Sequence, residues 1–233
     1  MGKNLIQQRR GKGNTRYRSP KHKFIGAPKY PLVNSANVTE GIVKNIIYAP
    51  GRKIPFAVVE FAGKKELLIP SDGVQLGQKI MINGPAENGN VVELEKIPEG
   101  TKIFNVELRP SDGGRLCRSP GSFALVTTRS ANKTVIVLPS KKQKVLSSRC
   151  RATIGVPAGA GRSDKPMLKA GKKYFAARAS GKLYPIVTKT KMNPVDHPFG
   201  GRNFGKMKTR SRDRSPGSKV GSISPRRTGK KKR

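Results

Sequence analysis

Phe56-Ala57-Val58-Val59-Glu60-Phe61 is the stretch that decides the fold. In an extended chain, side chains alternate between faces, so Ala57, Val59 and Phe61 share one face and Phe56, Val58 and Glu60 the other. Both faces are largely apolar, which predicts a strand buried on both sides and not a solvated edge. Working outward, short runs rich in Val and Ile recur at residues 41–48, 67–69, 79–82 and 91–94. Turn residues separate them at Pro50-Gly51, Gly63, Ser71-Asp72-Gly73, Gly84-Pro85 and Asn88-Gly89-Asn90. Five short strands in about 60 residues suit a small barrel such as the five-stranded oligonucleotide-binding (OB) fold.

The pattern then repeats. Residues 103–108, 123–128 and 134–138 are strand candidates, the last two joined by a polar turn around Ser130-Ala131-Asn132-Lys133. Val145-Leu146 and residues 152–154 supply short fourth and fifth strands of a second small barrel. Pro110, Pro120, Pro139 and Pro157 fall between the runs, where a missing amide donor is tolerated. From Gly155 onward glycines and prolines crowd the chain, and after Ala179 neither helical nor alternating periodicity persists. One helix, residues 172–179, would present Tyr174, Phe175 and Arg178 and cap the second barrel. The expected class is therefore all-β: a basic N-terminal extension (1–37), a first barrel (38–98), a second barrel (99–175) and a basic, glycine-rich C-terminal extension (176–233). Such extensions bury too little surface to offset chain entropy and are either disordered or ordered by a partner.

Charge identifies the partner. The 233 residues hold 49 Lys and Arg against 13 Asp and Glu, a formal net charge of +36 that repels itself unless a polyanion neutralises it. The charge is segmental: residues 1–37 carry nine bases and no acid, and 38–110 carry nine of each. Residues 111–175 carry fourteen bases and two acids, and 176–233 seventeen and two. A neutral module is thus flanked by a basic module and two basic tails, and a nucleic acid is the expected partner. No run approaches the roughly 20 apolar residues of a membrane span, and Met1-Gly2-Lys3-Asn4 opens no apolar signal region. Ile6 stands where a myristoylation motif needs Ser or Thr, so a soluble, intracellular protein without a lipid anchor is expected.

Glycine interleaved with Arg, Lys and Asn lets the tail backbone approach phosphates closely, while planar guanidinium groups fork onto phosphates or stack on unpaired bases. The candidate RNA-binding residues are Arg9, Arg10, Lys12, Arg16 and Arg18 near the start, Arg162, Lys172 and Arg178 in the middle, and Arg202, Lys206, Arg210, Arg226 and Arg227 toward the end. Tyr17, Phe199 and Phe204 are candidate stacking platforms.

Enzymatic readings fail on geometry. Asp196 and His197 are adjacent, so the carboxylate cannot ordinarily reach the imidazole, and no Gly-x-Ser-x-Gly elbow occurs. Gly155 to Ser163 resembles a phosphate loop, but Gly155 and Gly161 lie one residue too far apart and Arg162 replaces the required Lys. That loop reads instead as a glycine-rich connection lying against RNA. Cys117 and Cys150 form no metal-ligand pair and read as inert thiols; with His22 and His197 the only imidazoles, neither a metal nor a cofactor is expected. Two alternatives stay open at this level: His197 as a general acid or base, and a chromatin-type packaging protein, which would not prefer structured RNA over duplex DNA.

Met192-Asn193-Pro194-Val195-Asp196-His197-Pro198-Phe199-Gly200-Gly201 resembles the signature of the universal large-subunit ribosomal protein family conventionally numbered two. Gln7-Gln8-Arg9-Arg10-Gly11, Ile97-Pro98-Glu99-Gly100-Thr101, Asp112-Gly113-Gly114 and Cys150-Arg151-Ala152-Thr153-Ile154-Gly155 resemble other blocks of it. The short N-terminal arm, residues 155–173 and Arg226-Arg227-Thr228-Gly229 look archaeal rather than bacterial. The resemblance implies an OB barrel, then an SH3-like barrel, with both tails buried in large-subunit rRNA. It implies a cytoplasmic, ribosome-bound, non-enzymatic protein that meets rRNA, other ribosomal proteins and the small subunit, without forming homo-oligomers. It also implies roles in assembly, subunit association and the architecture near the peptidyl-transferase and tRNA-binding region. Asn193, His197, Gly200, Gly201 and Arg202 would lie closest to that region, His197 matching a family histidine once proposed as catalytic. Two residues depart from relatives: Phe199 replaces a second bacterial His, and Ala49 stands where an acid often precedes Pro50-Gly51-Arg52.

Overall fold

The computed structural model describes residues 2–32, 38–130, 132–202 and 209–225, and among them strands predominate. The chain divides into two compact units: a core unit, Lys21–Leu168, and a terminal unit that joins Met1–Pro20 with Lys169–Arg233.

The core unit contains ten strands: β1 (Thr39–Ile47), β2 (Phe56–Phe61), β3 (Lys64–Leu68), β4 (Lys79–Ile82), β5 (Val91–Glu93), β6 (Lys102–Phe104), β7 (Ala124–Arg129), β8 (Lys133–Val137), β9 (Gln143–Ser147) and β10 (Arg151–Ile154). Each run that the hydrophobic pattern marks holds one. The limits differ where backbone conformation overrides pattern. β3 starts three residues earlier than its apolar run, because Ala62 and Gly63 both take positive φ (45° and 79°) and form a two-residue turn that pairs Phe61 with Lys64 directly. β6 stops at Phe104 because Asn105 takes φ 49°, and Val106 makes only an isolated bridge to Leu116.

The strands form one hydrogen-bonded sheet in the order β3-β2-β1-β4-β5-β10-β6-β7-β8-β9. β10, last in sequence, sits in the middle: Arg151, Ala152 and Thr153 pair antiparallel with Glu93, Val92 and Val91, and Thr153 and Ile154 pair with Phe104 and Ile103. The pleat lets single strands serve two cores. Val91 of β5 packs with Val43, Val59, Phe61 and Ile82, whereas Val92 packs with Ile103, Val126, Ile136 and Ala152. Phe104 of β6 joins Ala49, Ile54, Phe56 and Ile69 in a third cluster. Ala49, the departure noted above, is thus a buried apolar contact. Across β1 and β2, Gly41 lies under Phe61, and a Cβ there would overlap both the Phe61 ring and Val59.

The ends of the chain, expected as separate tails, share a small core of their own: Leu5, Phe199 and Val220 pack together, each 5% exposed or less. α1 (Ile6–Gly11), α2 (Ala170–Ala179) and a short parallel pair, β11 (Thr209–Arg210) with β12 (Ser222–Ile223), complete this terminal unit. α2 starts two residues before the expected helix and crosses the expected 175/176 boundary. It belongs to the terminal unit, where the left-handed Gly181 that follows it lies against the Ser19 amide.

One polar cluster sits inside the core unit. The Glu107 carboxylate is fully buried and accepts from the amides of Ser111 (3.2 Å), Gly113 (3.1 Å) and Arg151 (2.9 Å). It also pairs with the buried Arg151 guanidinium, Nη2 to Oε1, at 2.8 Å. Arg151 Nη1 donates to the Pro31 carbonyl (3.0 Å), and the guanidinium stacks 5.4 Å from the centre of the Tyr30 ring. The Tyr30 hydroxyl contacts the Asn105 carbonyl (2.8 Å) and Thr153 Oγ1 (2.6 Å), and its burial raises its pKa well above the usual phenol range.

A buried carboxylate satisfied on both oxygens is costly to orphan. Replacing Arg151 or Glu107 alone by Ala is expected to destabilise the core unit by about 3–5 kcal/mol in denaturant unfolding. The double replacement Glu107→Leu with Arg151→Met should recover much of the loss, because no buried charge is then unpaired; equal losses in all three variants would contradict this reading.

Candidate nucleic-acid interface

Charges in this protein fall into two classes by whether a carboxylate answers them. In the neutral segment, Lys44 pairs with Glu60 (3.2 Å), Lys79 with Glu40 (3.3 Å) and Lys96 with Glu93 (3.3 Å). Arg52 and Lys53 of the same segment pair with no carboxylate among the described residues. They follow the Pro50-Gly51 turn, in which Gly51 takes φ 77°, and with Arg118 they line a cleft of about 180 Å³ floored by Ile54, Phe56 and Ile69. No acidic side chain lines it. Arg118 is held by its two terminal amines, Nη1 to the Gly114 carbonyl (3.1 Å) and Nη2 to the Pro28 carbonyl (2.8 Å). Its pKa is lowered by burial first and then by nearby Arg52. Two guanidinium groups brought close, with Asp112 only a lesser counter-charge to Arg118, favour an anion between them.

The terminal unit carries a second cleft, of about 600 Å³. α1 supplies Arg9 and Arg10, and a 3₁₀ turn, Lys189–Lys191, supplies two lysines; Ile6, Leu183 and Met192 give it an apolar floor. Among the described residues of this unit one ion pair occurs, Lys3 with Asp196 at 3.2 Å. Asp196 therefore turns toward Lys3 and not toward the adjacent imidazole.

His197 is 5% exposed, not the solvated tail residue that its polar neighbours suggest. Its Nδ1 accepts the Phe199 amide (3.0 Å), which places the ring proton on Nε2. The turn is closed by Gly200 N to the His197 carbonyl (2.8 Å) and Gly201 N to the Met192 carbonyl (3.0 Å). A Cβ at Gly200 would overlap the carbonyls of Met192 and Asn193. Phe199, in place of a second His, is buried beside the imidazole and under the Arg210 guanidinium, 5.2 Å from its ring centre. Arg210 also donates to the Pro198 carbonyl (3.2 Å). Nε2 is buried with no hydrogen-bond partner among the described residues, and the adjacent carboxylate is taken by Lys3, so no described group is placed to relay a proton for a general acid–base role.

The other expected residues are dispersed. Lys12 caps α1, Arg16 lies in the 3₁₀ turn Thr15–Tyr17, and Arg18 follows it, folded over Gly13. Lys172 and Arg178 lie on α2, which buries no residue. Arg202 is exposed beside Gly201. Asn193 and His197 line the larger cleft with Arg9 and Arg10, whereas Arg162 is exposed in the core unit. Lys206, Arg226 and Arg227 lie outside the described residues, as does Phe204. The first part of the glycine-rich loop is tied to protein: Gly155 N donates to the Lys102 carbonyl, Asp72 N to the Val156 carbonyl and Ala158 N to the Pro70 carbonyl. Cys150 packs in a hydrophobic cluster with Cys117 against it, and burial raises both thiols to about 11, which leaves them unreactive. Arg52, Lys53, Arg118, Lys189 and Lys191 were not singled out by sequence.

Burial, then Lys189 and Arg210, lowers the His197 pKa. Above the ordinary His value of about 6.5 the ring is neutral whether the chain is folded or not. Below it the unfolded chain binds a proton that the buried ring refuses, so stability is lost as pH falls through the window down to the folded pKa. His197→Asn, whose amide oxygen can take over the Phe199 N–H, removes this dependence. Denaturation midpoints of the terminal unit should drop more for wild type than for the variant between pH 7.5 and 5.5; equal drops would refute the assignment.

A family profile described as "Ribosomal Proteins L2, C-terminal domain" matches residues 87–220. A Thermofilum pendens protein named "Large ribosomal subunit protein uL2" is 48% identical over 240 residues, covering 100% of this chain and 97% of that relative. Proteins of the same name from Methanothermobacter thermautotrophicus (47% over 241 residues, 100% of both chains) and Korarchaeum cryptofilum (44% over 239 residues, 100% of this chain and 98% of the relative) match throughout. Matched by this profile over more than half its length and 44–48% identical to these archaeal proteins throughout, the chain belongs to the ribosomal protein L2 family.

Proposed function

We propose that this chain is a non-enzymatic structural constituent of the large ribosomal subunit that binds large-subunit rRNA through cations its own carboxylates leave unanswered. The observation that carries the reading is the Arg52-Lys53-Arg118 cleft, where three bases converge without an acid while neighbouring lysines are paired. Phosphate is the anion that such a cleft and the family together call for. The paired lysines leave the rest of the first strands as packing scaffold. A packaging protein would share the net charge but not the family.

On this reading β1 to β5 form the OB-type barrel and β6 to β10 the SH3-like one, fused in tandem. The long, bulged β1, paired on both edges, supports the first assignment. The terminal unit then threads into rRNA, and the turn at residues 193–202 approaches the peptidyl-transferase and tRNA-binding region. The protein supports subunit assembly and small-subunit association in the cytoplasm, alongside other ribosomal proteins.

The test is salt-dependent binding of the full chain to large-subunit rRNA. The double variant Arg52→Ala with Lys53→Ala should weaken binding and lower the slope of log affinity against log salt by about 2, roughly one per lost phosphate contact. Lys44→Ala with Lys79→Ala should leave the slope nearly unchanged. Equal effects of the two pairs would contradict the proposal.

A further inference from the structure

The larger cleft differs in kind from a phosphate-binding surface. Leu183, Ile186, Val187 and Met192 line it with Ile6, yet Ile186 and Val187 are 65% and 54% exposed. Exposed aliphatic side chains in a unit this basic are not explained by phosphate contacts, which need only cations. Around them stand Arg9, Arg10, Lys189 and Lys191, and the one carboxylate in the lining, Asp196, is held by Lys3. The Arg9 Nε donates to the Asn4 carbonyl (2.9 Å), which orients its guanidinium while its terminal amines have no partner among the described residues. An apolar floor under a cationic rim fits a ligand with an uncharged planar body and an anionic edge. The volume, about 600 Å³, lies in the range of roughly 300–1,000 Å³ usual for small-molecule sites and exceeds what a phosphate alone requires.

We infer that this cleft receives one unstacked nucleotide of the RNA, its base on the aliphatic floor and its phosphates against Arg9, Arg10, Lys189 and Lys191. The inference rests on the RNA-binding reading above and deepens it: the terminal unit holds an extruded base and not only backbone. Charge selects this occupant over the chain's own C-terminal end, since residues 226–233 carry six Lys and Arg and would be repelled by the rim. A base leaves its stack at a cost of a few kcal/mol, least where it is already single-stranded, and an apolar seat offsets that cost. An aliphatic seat of this kind tolerates any base, because every base offers an apolar face to bury against it.

The experiment compares binding of the full chain to octauridylate, whose bases stack poorly with one another, and to an abasic octamer with the same phosphates. Wild type should prefer octauridylate by about ten-fold, the order expected from burying one base face on aliphatic side chains. Ile186→Ala with Val187→Ala, at exposed positions that the fold does not need, should reduce that preference to below about three-fold with abasic binding retained. Lys189→Ala with Lys191→Ala should weaken binding to both oligomers and leave their ratio unchanged. A wild-type chain that binds both octamers equally, or a preference untouched by the aliphatic variant, overturns the nucleotide seat while RNA binding stands. A chain that binds neither octamer nor rRNA overturns both.

Discussion

Arg151 lies where three parts of the core unit meet, and its ion pair with buried Glu107 is the constraint on which the rest depends. From the central strand β10 it reaches the 107–114 loop through Glu107 and the 30–31 segment through Pro31 and Tyr30. The loop can present its amides to Glu107 because Gly113 and Gly114 take left-handed φ, and a Cβ at Gly114 would lie only 2.5 Å from the Asn105 carbonyl oxygen. Both carbonyls that hold Arg118, those of Gly114 and Pro28, belong to segments anchored this way. The cationic cleft is therefore positioned by the buried pair, and the orientation of Arg118 is a consequence of core chemistry.

That arrangement separates two uses of charge. Carboxylates that face lysines across the surface of the first strands neutralise them, and each such exposed pair contributes little to stability, on the order of 0–1 kcal/mol. Their effect is to remove those cations from competition for phosphate. Some of the cations that no acid answers line two clefts, one floored by the β2 aromatic Phe56 and the other by aliphatic side chains of the terminal unit, while others, such as Lys64 and Lys65 of β3, stand exposed elsewhere. Phosphate affinity is thus set by where the acids are as much as by where the bases are.

Strand positions were legible because each apolar run in the core unit becomes a strand, with the largely buried Phe56 to Phe61 the clearest instance. The polar first half of β3 was not legible, since its pairing follows from the Ala62-Gly63 turn. Nor was the central place of β10, because four residues of local sequence do not say which distant strands they will join. The terminal unit escaped notice for the same reason: Leu5, Phe199 and Val220 are too far apart in sequence to form a periodic pattern. Charge counted by segment located the basic tails but hid Arg52 and Lys53 inside a sum of zero. It also counted Glu107 as one acid among nine when it is a buried structural ligand. His197 drew notice in the sequence, but its polar neighbours concealed that it is enclosed by Phe199 and Arg210 and closes a turn.

Lysine acetylation footprinting of the full chain, free and bound to large-subunit rRNA, addresses the central claim directly, because every lysine is read in one experiment. The account predicts strong protection at Lys53, Lys189 and Lys191, and little change at Lys44, Lys79 and Lys96, whose partners are Glu60, Glu40 and Glu93. Uniform protection across both sets, or protection confined to the paired lysines, would contradict it.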